Sequence, residues 1–97
     1  MTIEELERIV ANTIALYEKE TRHAAIATRG MIQNFGVVEA LSRLVISGNL
    51  QQGFKTLRDR GLLKQTFEQI VVQNQQFFKP DVLNAAQWRL DNAFKLL

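Results

Sequence analysis

Apolar residues recur along this chain at intervals of three and four, and no span alternates apolar with polar residues long enough to suggest a strand. The pattern divides into helices. Thr2 followed by Glu5 is a capping box that starts the first helix. Ile3, Leu6, Ile9, Val10, Thr13, Ile14, Leu16 and Tyr17 share one broad face of it. Glu4, Glu5, Glu7, Arg8, Asn12, Glu18 and Lys19 form the solvent face, where Glu4 and Arg8 make a favourable i,i+4 pair. An apolar face this broad needs burial, in the chain's own core or against a second copy. Thr21 is the expected cap of a second helix running through Ala24, Ala25, Ile26, Ala27 and Met31 to Phe35, with Gly36 as its stop. Gly30 inside it costs about 1 kcal/mol relative to alanine unless a close helix contact uses it. The third helix spans Val37 to Ile46. Val37, Ala40, Leu41, Leu44 and Val45 point one way and Glu39, Ser42 and Arg43 the other, before the turn residues Ser47-Gly48-Asn49.

The stretch from Gly53 to Val72 forms a corner around which the rest is organised. Leu50, Phe54, Leu57 and Gly61 fall on one helical face, and Gly61 sits where a left-handed residue ends a helix at little cost. Leu62 and Leu63 follow as buried linkers. Thr66 caps a second short helix carrying Phe67, Ile70 and Val71. Helices of two or three turns do not hold alone, so Phe54, Leu57, Leu62, Phe67 and Ile70 are the expected centre of the core. Pro80 opens the last helix at the first helical position. Its expected stripe is Leu83, Ala86, Leu90, Ala93 and Leu97, flanked by Val82 and Phe94. The reading is an all-α fold, one domain over residues 1–97, built as a compact bundle of five to six short helices.

The corner also carries a pattern, G-[FY]-x-x-L-x-x-x-G-x-L-x-x-T-x-E-x-x-V, as Gly53, Phe54, Leu57, Gly61, Leu63, Thr66, Glu68 and Val71. In this it resembles a family of small, uncharacterised bacterial helical proteins, over about residues 25–90. Such relatives usually place an Asp in the bridge and acidic residues after the proline. Here Lys64 and Gln65 fill the bridge and only Asp81 follows Pro80. The resemblance implies a helical fold and carries no activity with it.

Composition narrows the function by exclusion. The 97 residues are 46% apolar and 23% charged, ordinary for one globular domain. With no cysteine, neither a disulfide framework nor a thiolate metal site can form. Neither a leader sequence nor an apolar run of roughly 20 residues is evident, so a soluble cytoplasmic protein without membrane contact is expected. The lone His23, beside Arg22 and Glu20, has no evident nucleophile or orienting acid. Glu4, Glu5 and Glu7 answer a helix dipole more simply than they bind a cation. No phosphate-binding glycine loop, zinc spacing or nucleophile elbow is present. No enzyme, metal, cofactor or small-molecule substrate is therefore expected.

Two features point to macromolecular partners. Trp88 lies opposite the apolar stripe of the last helix, among Asp81, Asn84, Asp91 and Lys95. Either a neighbouring element covers it, or Trp88, Asn84, Asp91 and Lys95 form a surface for a protein partner or a second copy. Charge is the other feature. Residues 1–20 hold Glu4, Glu5, Glu7, Glu18 and Glu20 against Arg8 and Lys19, a net of −3. Residues 21–65 hold seven bases (Arg22, Arg29, Arg43, Lys55, Arg58, Arg60 and Lys64) against Glu39 and Asp59, a net of +5. That basic middle is either a solvated face, answered by the acidic first helix, or a nucleic-acid footprint. The helices either side of Ser47-Gly48-Asn49 have the outline of a helix-turn-helix, with Gln51, Gln52, Lys55 and Arg58 facing outward and Arg43, Arg60 and Lys64 nearby. Leu44 stands where that motif wants a small residue, and Arg43 where it wants an apolar one. The leading expectation is a non-enzymatic interaction or self-association module using the first helix or the Trp88 face. The alternative is a nucleic-acid-binding accessory protein.

Overall fold

The structure, a computed structural model, describes residues 1–47 and 52–96. Among the described residues the chain forms α1 (Ile3–Thr21), α2 (Ile26–Phe35), α3 (Val37–Ile46), α4 (Gln52–Asp59), α5 (Phe67–Gln73) and α6 (Pro80–Asp91). Single turns of 3₁₀ helix at Leu63–Gln65 and Gln75–Phe77 flank α5. The bundle measures 30 × 28 × 22 Å with no strand among the described residues, so the all-α expectation holds. No described helix is long and apolar enough to cross a membrane.

Thr2 caps α1 through its Oγ1, which accepts from the Glu5 backbone N–H at 3.2 Å. At the far end the expectation fails. Thr21 is the last residue of α1 and does not cap α2; its Oγ1 donates back to the Tyr17 carbonyl at 2.9 Å. Arg22 takes the left-handed conformation, φ 58°, that stops α1. The next helix therefore starts at Ile26, behind an alanine with no side chain to cap with. Glu18 of α1 fills that role. Its Oε2 accepts from the Ala25 N–H at 2.7 Å, and its carboxylate takes both Arg29 Nε at 3.0 Å and Arg29 Nη2 at 2.5 Å. A carboxylate at a helix N-terminus is favoured by the exposed N–H groups there as well as by the ion pair.

These bonds hold the Glu18 carboxyl well below its usual range, lowered to about 2. A depressed folded-state pKa contributes stability that is present above the unfolded value and lost as pH falls through the folded one. The expected result is that Glu18→Gln melts below the parent at neutral pH, and that the gap closes as pH drops from 4.5 towards 2. Thermal melts of both proteins over that range check it; a gap independent of pH rules it out.

One residue separates α2 from α3. Gly36, at φ 81° and ψ 164°, closes α2 by donating to the Ile32 carbonyl at 2.8 Å and opens α3 by accepting from Ala40 N–H at 3.0 Å. Gly30 gains no close contact in return for its cost in α2: a Cβ there would meet nothing within 4 Å. No residue of α2 is buried.

The contiguous core lies between α1, α3, α5 and α6. Leu6, Val10 and Ile14 meet Val37, Leu41 and Val45, with Ile70, Val71, Phe78, Val82 and Ala86 closing the other side. Most of the apolar face of α1 is used here, within one copy of the chain: Leu6, Val10, Thr13 and Ile14 are buried, Ile9, Leu16 and Tyr17 half-buried, and Ile3 is exposed. The corner stands to one side. Gly61, φ 74°, ends the turn after α4, and the Leu62 N–H reaches the Leu57 carbonyl at 2.7 Å, the six-to-one bond of a glycine-terminated helix. Thr66 caps α5, accepting from the Gln69 N–H at 3.2 Å. Phe54, Leu57 and Ile70 are buried, but Leu62, Leu63 and Phe67 are only half-buried, which corrects the expectations that Leu62 and Leu63 are buried linkers and that Leu62 and Phe67 help to centre the core.

The last helix is also rotated from its expected setting. Val82, Ala86 and Arg89 are its buried residues, Leu83 and Leu90 are half-buried, and Phe94 is 81% exposed. The helix stops at Asp91, and Leu97 lies outside the described residues.

Candidate functional site

Burial of Val82 and Ala86 turns the opposite side of α6 to solvent. Asn84, Trp88 and Asp91 are exposed there, at the i, i+4, i+7 spacing of one helical strip. Trp88 is 56% exposed, so among the described residues nothing covers more than part of it. Its helix is held locally: Gln87 Nε2 donates to Asp91 Oδ1 at 2.8 Å, and Asn92 Nδ2 donates to the Trp88 carbonyl at 2.8 Å. Lys95 is exposed in the turn beyond the helix end, next to the exposed Phe94.

The basic residues are dispersed into separate roles. Arg58 does not face outward as the helix-turn-helix outline requires. It is 9% exposed, and Nη1 donates to the carbonyls of Ala93 at 2.9 Å and Leu96 at 2.6 Å, while Nε reaches Asp59 Oδ1 at 2.8 Å. Its role is to tie the C-terminal segment to α4. Arg43 pairs with Glu39 at 3.1 Å and lies 4.0 Å over the Phe35 ring, which joins α3 to α2. Arg60 pairs with Glu20 at 3.5 Å, and Arg29 with Glu18, so the acidic first helix does answer part of the basic middle. Gln52 is exposed and donates to Thr56 Oγ1 at 3.3 Å; Lys55 is half-buried and Lys64 exposed. Gln51, with Gly48, Asn49 and Leu50, lies outside the described residues. His23 is exposed, its backbone N–H bound to Thr21 Oγ1 at 3.3 Å. Among the described residues no three His, Cys, Asp or Glu side chains gather as a metal site would need.

The residues that sequence reasoning missed are Glu68 and Arg89. Both are buried, and Arg89 Nη1 meets Glu68 Oε2 at 3.0 Å. The same guanidinium donates to the Leu44 carbonyl at 3.1 Å and to the Ser47 carbonyl, so it closes the C-terminal end of α3 as well. Orphan carbonyls at a helix end suit a cation. Burial pushes the Glu68 carboxyl up from its ordinary value, against the opposing pull of Arg89. The sequence signal was slight: Arg89 sits three residues after Ala86 and four before Ala93, a long base between two small residues on the buried stripe.

Comparison of the chain with protein-family models, with curated proteins and with solved structures finds no match.

Proposed function

We propose that this protein is a non-enzymatic self-association module, and that the strip of α6 around Trp88 is its contact surface with a second copy of the chain. The observation that carries the reading is the solvent-exposed indole of Trp88 on a helix whose other side is buried at Val82, Ala86 and Arg89. A tryptophan left in water gains nothing for the monomer, and it is among the residues that most often anchor an interface. With most of the α1 face used in the core, the α6 strip is the more exposed of the two surfaces the sequence suggests. Asp91 and Lys95 put one acid and one base beside the indole. Such a strip can meet a copy of itself about a two-fold axis without setting like charges against each other.

The nucleic-acid alternative draws less support. Among the described residues of that footprint Arg58 is buried, Arg43 and Arg60 are ion-paired, and the exposed or half-exposed remainder is Gln52, Lys55 and Lys64. Two lysines make a small footprint on a phosphate backbone.

Light scattering across a concentration series tests the proposal. The parent is expected to run as a dimer whose mass does not change with salt. Trp88→Ala is expected to weaken the dimer by at least about thirtyfold, the loss of one hot-spot residue, with the melting temperature of the dilute protein unchanged. A parent that is monomeric throughout, or a variant with the parent's mass at every concentration, overturns it. Salt-sensitive retention of nucleic acid would favour the alternative.

A further inference from the structure

The α2 helix is attached more loosely than its neighbours. Among the described helices it alone has no buried residue, and Ile26 and Phe35 at its two ends are 78% and 45% exposed. Hollows border it in two places. A cleft of about 260 Å³ between α1, α4 and α5 takes Ala25, Ala27 and Thr28 as one wall. A second hollow of about 300 Å³ lies between α1 and Arg29, Ile32 and Gln33 of α2. Ile14 of α1 lines both, so the two reach the same part of α1 from different stretches of α2. A helix beside voids forgoes the dispersion contacts that close packing would supply.

A few contacts hold α2 in place. Ala25 and Ile32 rest half-buried against the core. Glu18 supplies the borrowed cap and the ion pair to Arg29, and the Phe35 ring lies under the Arg43 guanidinium. The helix adds little of its own, because ten residues with a glycine inside do not stay helical in isolation. The chain also turns through a positive φ on either side, 58° at Arg22 and 81° at Gly36, which sets a pivot at each end. An element with few buried apolar contacts opens at a lower free energy than the rest of a domain. We propose that α2 is a flap that opens as one unit between Arg22 and Gly36, with Glu18 as its latch, while the other five helices stay packed. Once detached it cannot keep its helix, so opening also unwinds it. Opening merges the two hollows and uncovers Val10, Ile14 and Val37 on the apolar sides of α1 and α3. The flap thus governs access to that surface, independently of the α6 strip.

Native-state hydrogen exchange of the full chain, followed amide by amide at urea concentrations below the unfolding transition, tests the flap. The amides from Gly30 to Phe35 are expected to share one opening free energy and to be protected at least about tenfold less than the core amides of α3 and α6. Their dependence on urea is expected to be much shallower, because opening uncovers little surface. Gly30→Ala introduces no clash, since a Cβ there meets nothing within 4 Å, and is expected to slow these amides about fivefold. Glu18→Ala removes the latch and is expected to speed them at least about fivefold. Amides of α2 that follow the urea dependence of α3 and α6 would overturn the proposal, by making α2 part of one cooperative unit. Values graded from the helix ends inward would replace it with fraying, and unchanged α2 exchange in either variant would also overturn it.

Discussion

Arg89→Ala is expected to destabilise the protein by about 3–5 kcal/mol, a loss large enough to unfold many domains of this size. The physical reason is what the substitution leaves behind rather than what it removes. Glu68 stays buried with no cation against it, and the Leu44 and Ser47 carbonyls lose a donor at the end of α3. An ionised carboxylate in that setting has no good option except to take up a proton. Two further measurements separate this account from simple loss of packing. The first is pH. Glu68 already titrates above its ordinary range because it is buried. A raised folded-state pKa means stability that is present below the unfolded value and lost as pH rises through the folded one. Removing Arg89 raises it further, so the deficit of Arg89→Ala is expected to shrink as pH falls, as the Glu18→Gln gap does, but through a higher pH range because this carboxyl titrates above its ordinary value. The second is the double replacement Glu68→Leu with Arg89→Leu. Exchanging a buried pair for apolar groups is often near neutral, so the double variant is expected to recover most of what the single one loses, less the contribution of the two α3 carbonyls. Urea unfolding of the four proteins in the cycle reads all of this. A single-variant loss under about 1 kcal/mol would mean the pair is not buried as described.

Leu41→Ala is expected to cost more than Leu62→Ala, and the order matters more than either number. Leu41 is 0% exposed in α3, the helix that packs on α1, α2, α5 and α6. Deleting its side chain leaves a cavity that helices on several sides hold open, so a loss of about 3–5 kcal/mol is expected, the upper part of the range for such substitutions. Leu62 is half-buried beside the turn that follows α4, where the chain can relax and water already reaches. Its replacement is expected to cost under about 2 kcal/mol. Denaturant unfolding of the two variants side by side decides the matter. A reversed order would restore the corner as the centre of the core.

The local grammar of the chain was readable residue by residue. Thr2 and Thr66 cap where a hydroxyl before an apolar run should cap, Gly36 and Gly61 sit at the positive φ values that end helices, and Pro80 opens α6. Each of these depends on four or five neighbouring residues, so the sequence contains all the information needed. Thr21 misled because a second signal, the left-handed Arg22, takes precedence one residue later, and because the cap of α2 comes from Glu18 on another helix. Exposure of Trp88 was likewise suggested by its place on the helical wheel, although the wheel could not say whether a neighbour would cover it.

Helical periodicity, caps and turn residues determined by themselves that this chain is all-α and where most of its helices begin and end, because those choices are made within a turn or two of chain. Only the tertiary structure decided which apolar residues meet in the core, that Arg58 and Arg89 turn inward, and that Glu68 stands at the wall of a cleft. A long arginine on a helix can serve solvent or the interior equally well by sequence. The choice falls to carbonyls and a carboxylate from segments 21 to 45 residues away, which are brought within reach only once the helices have packed.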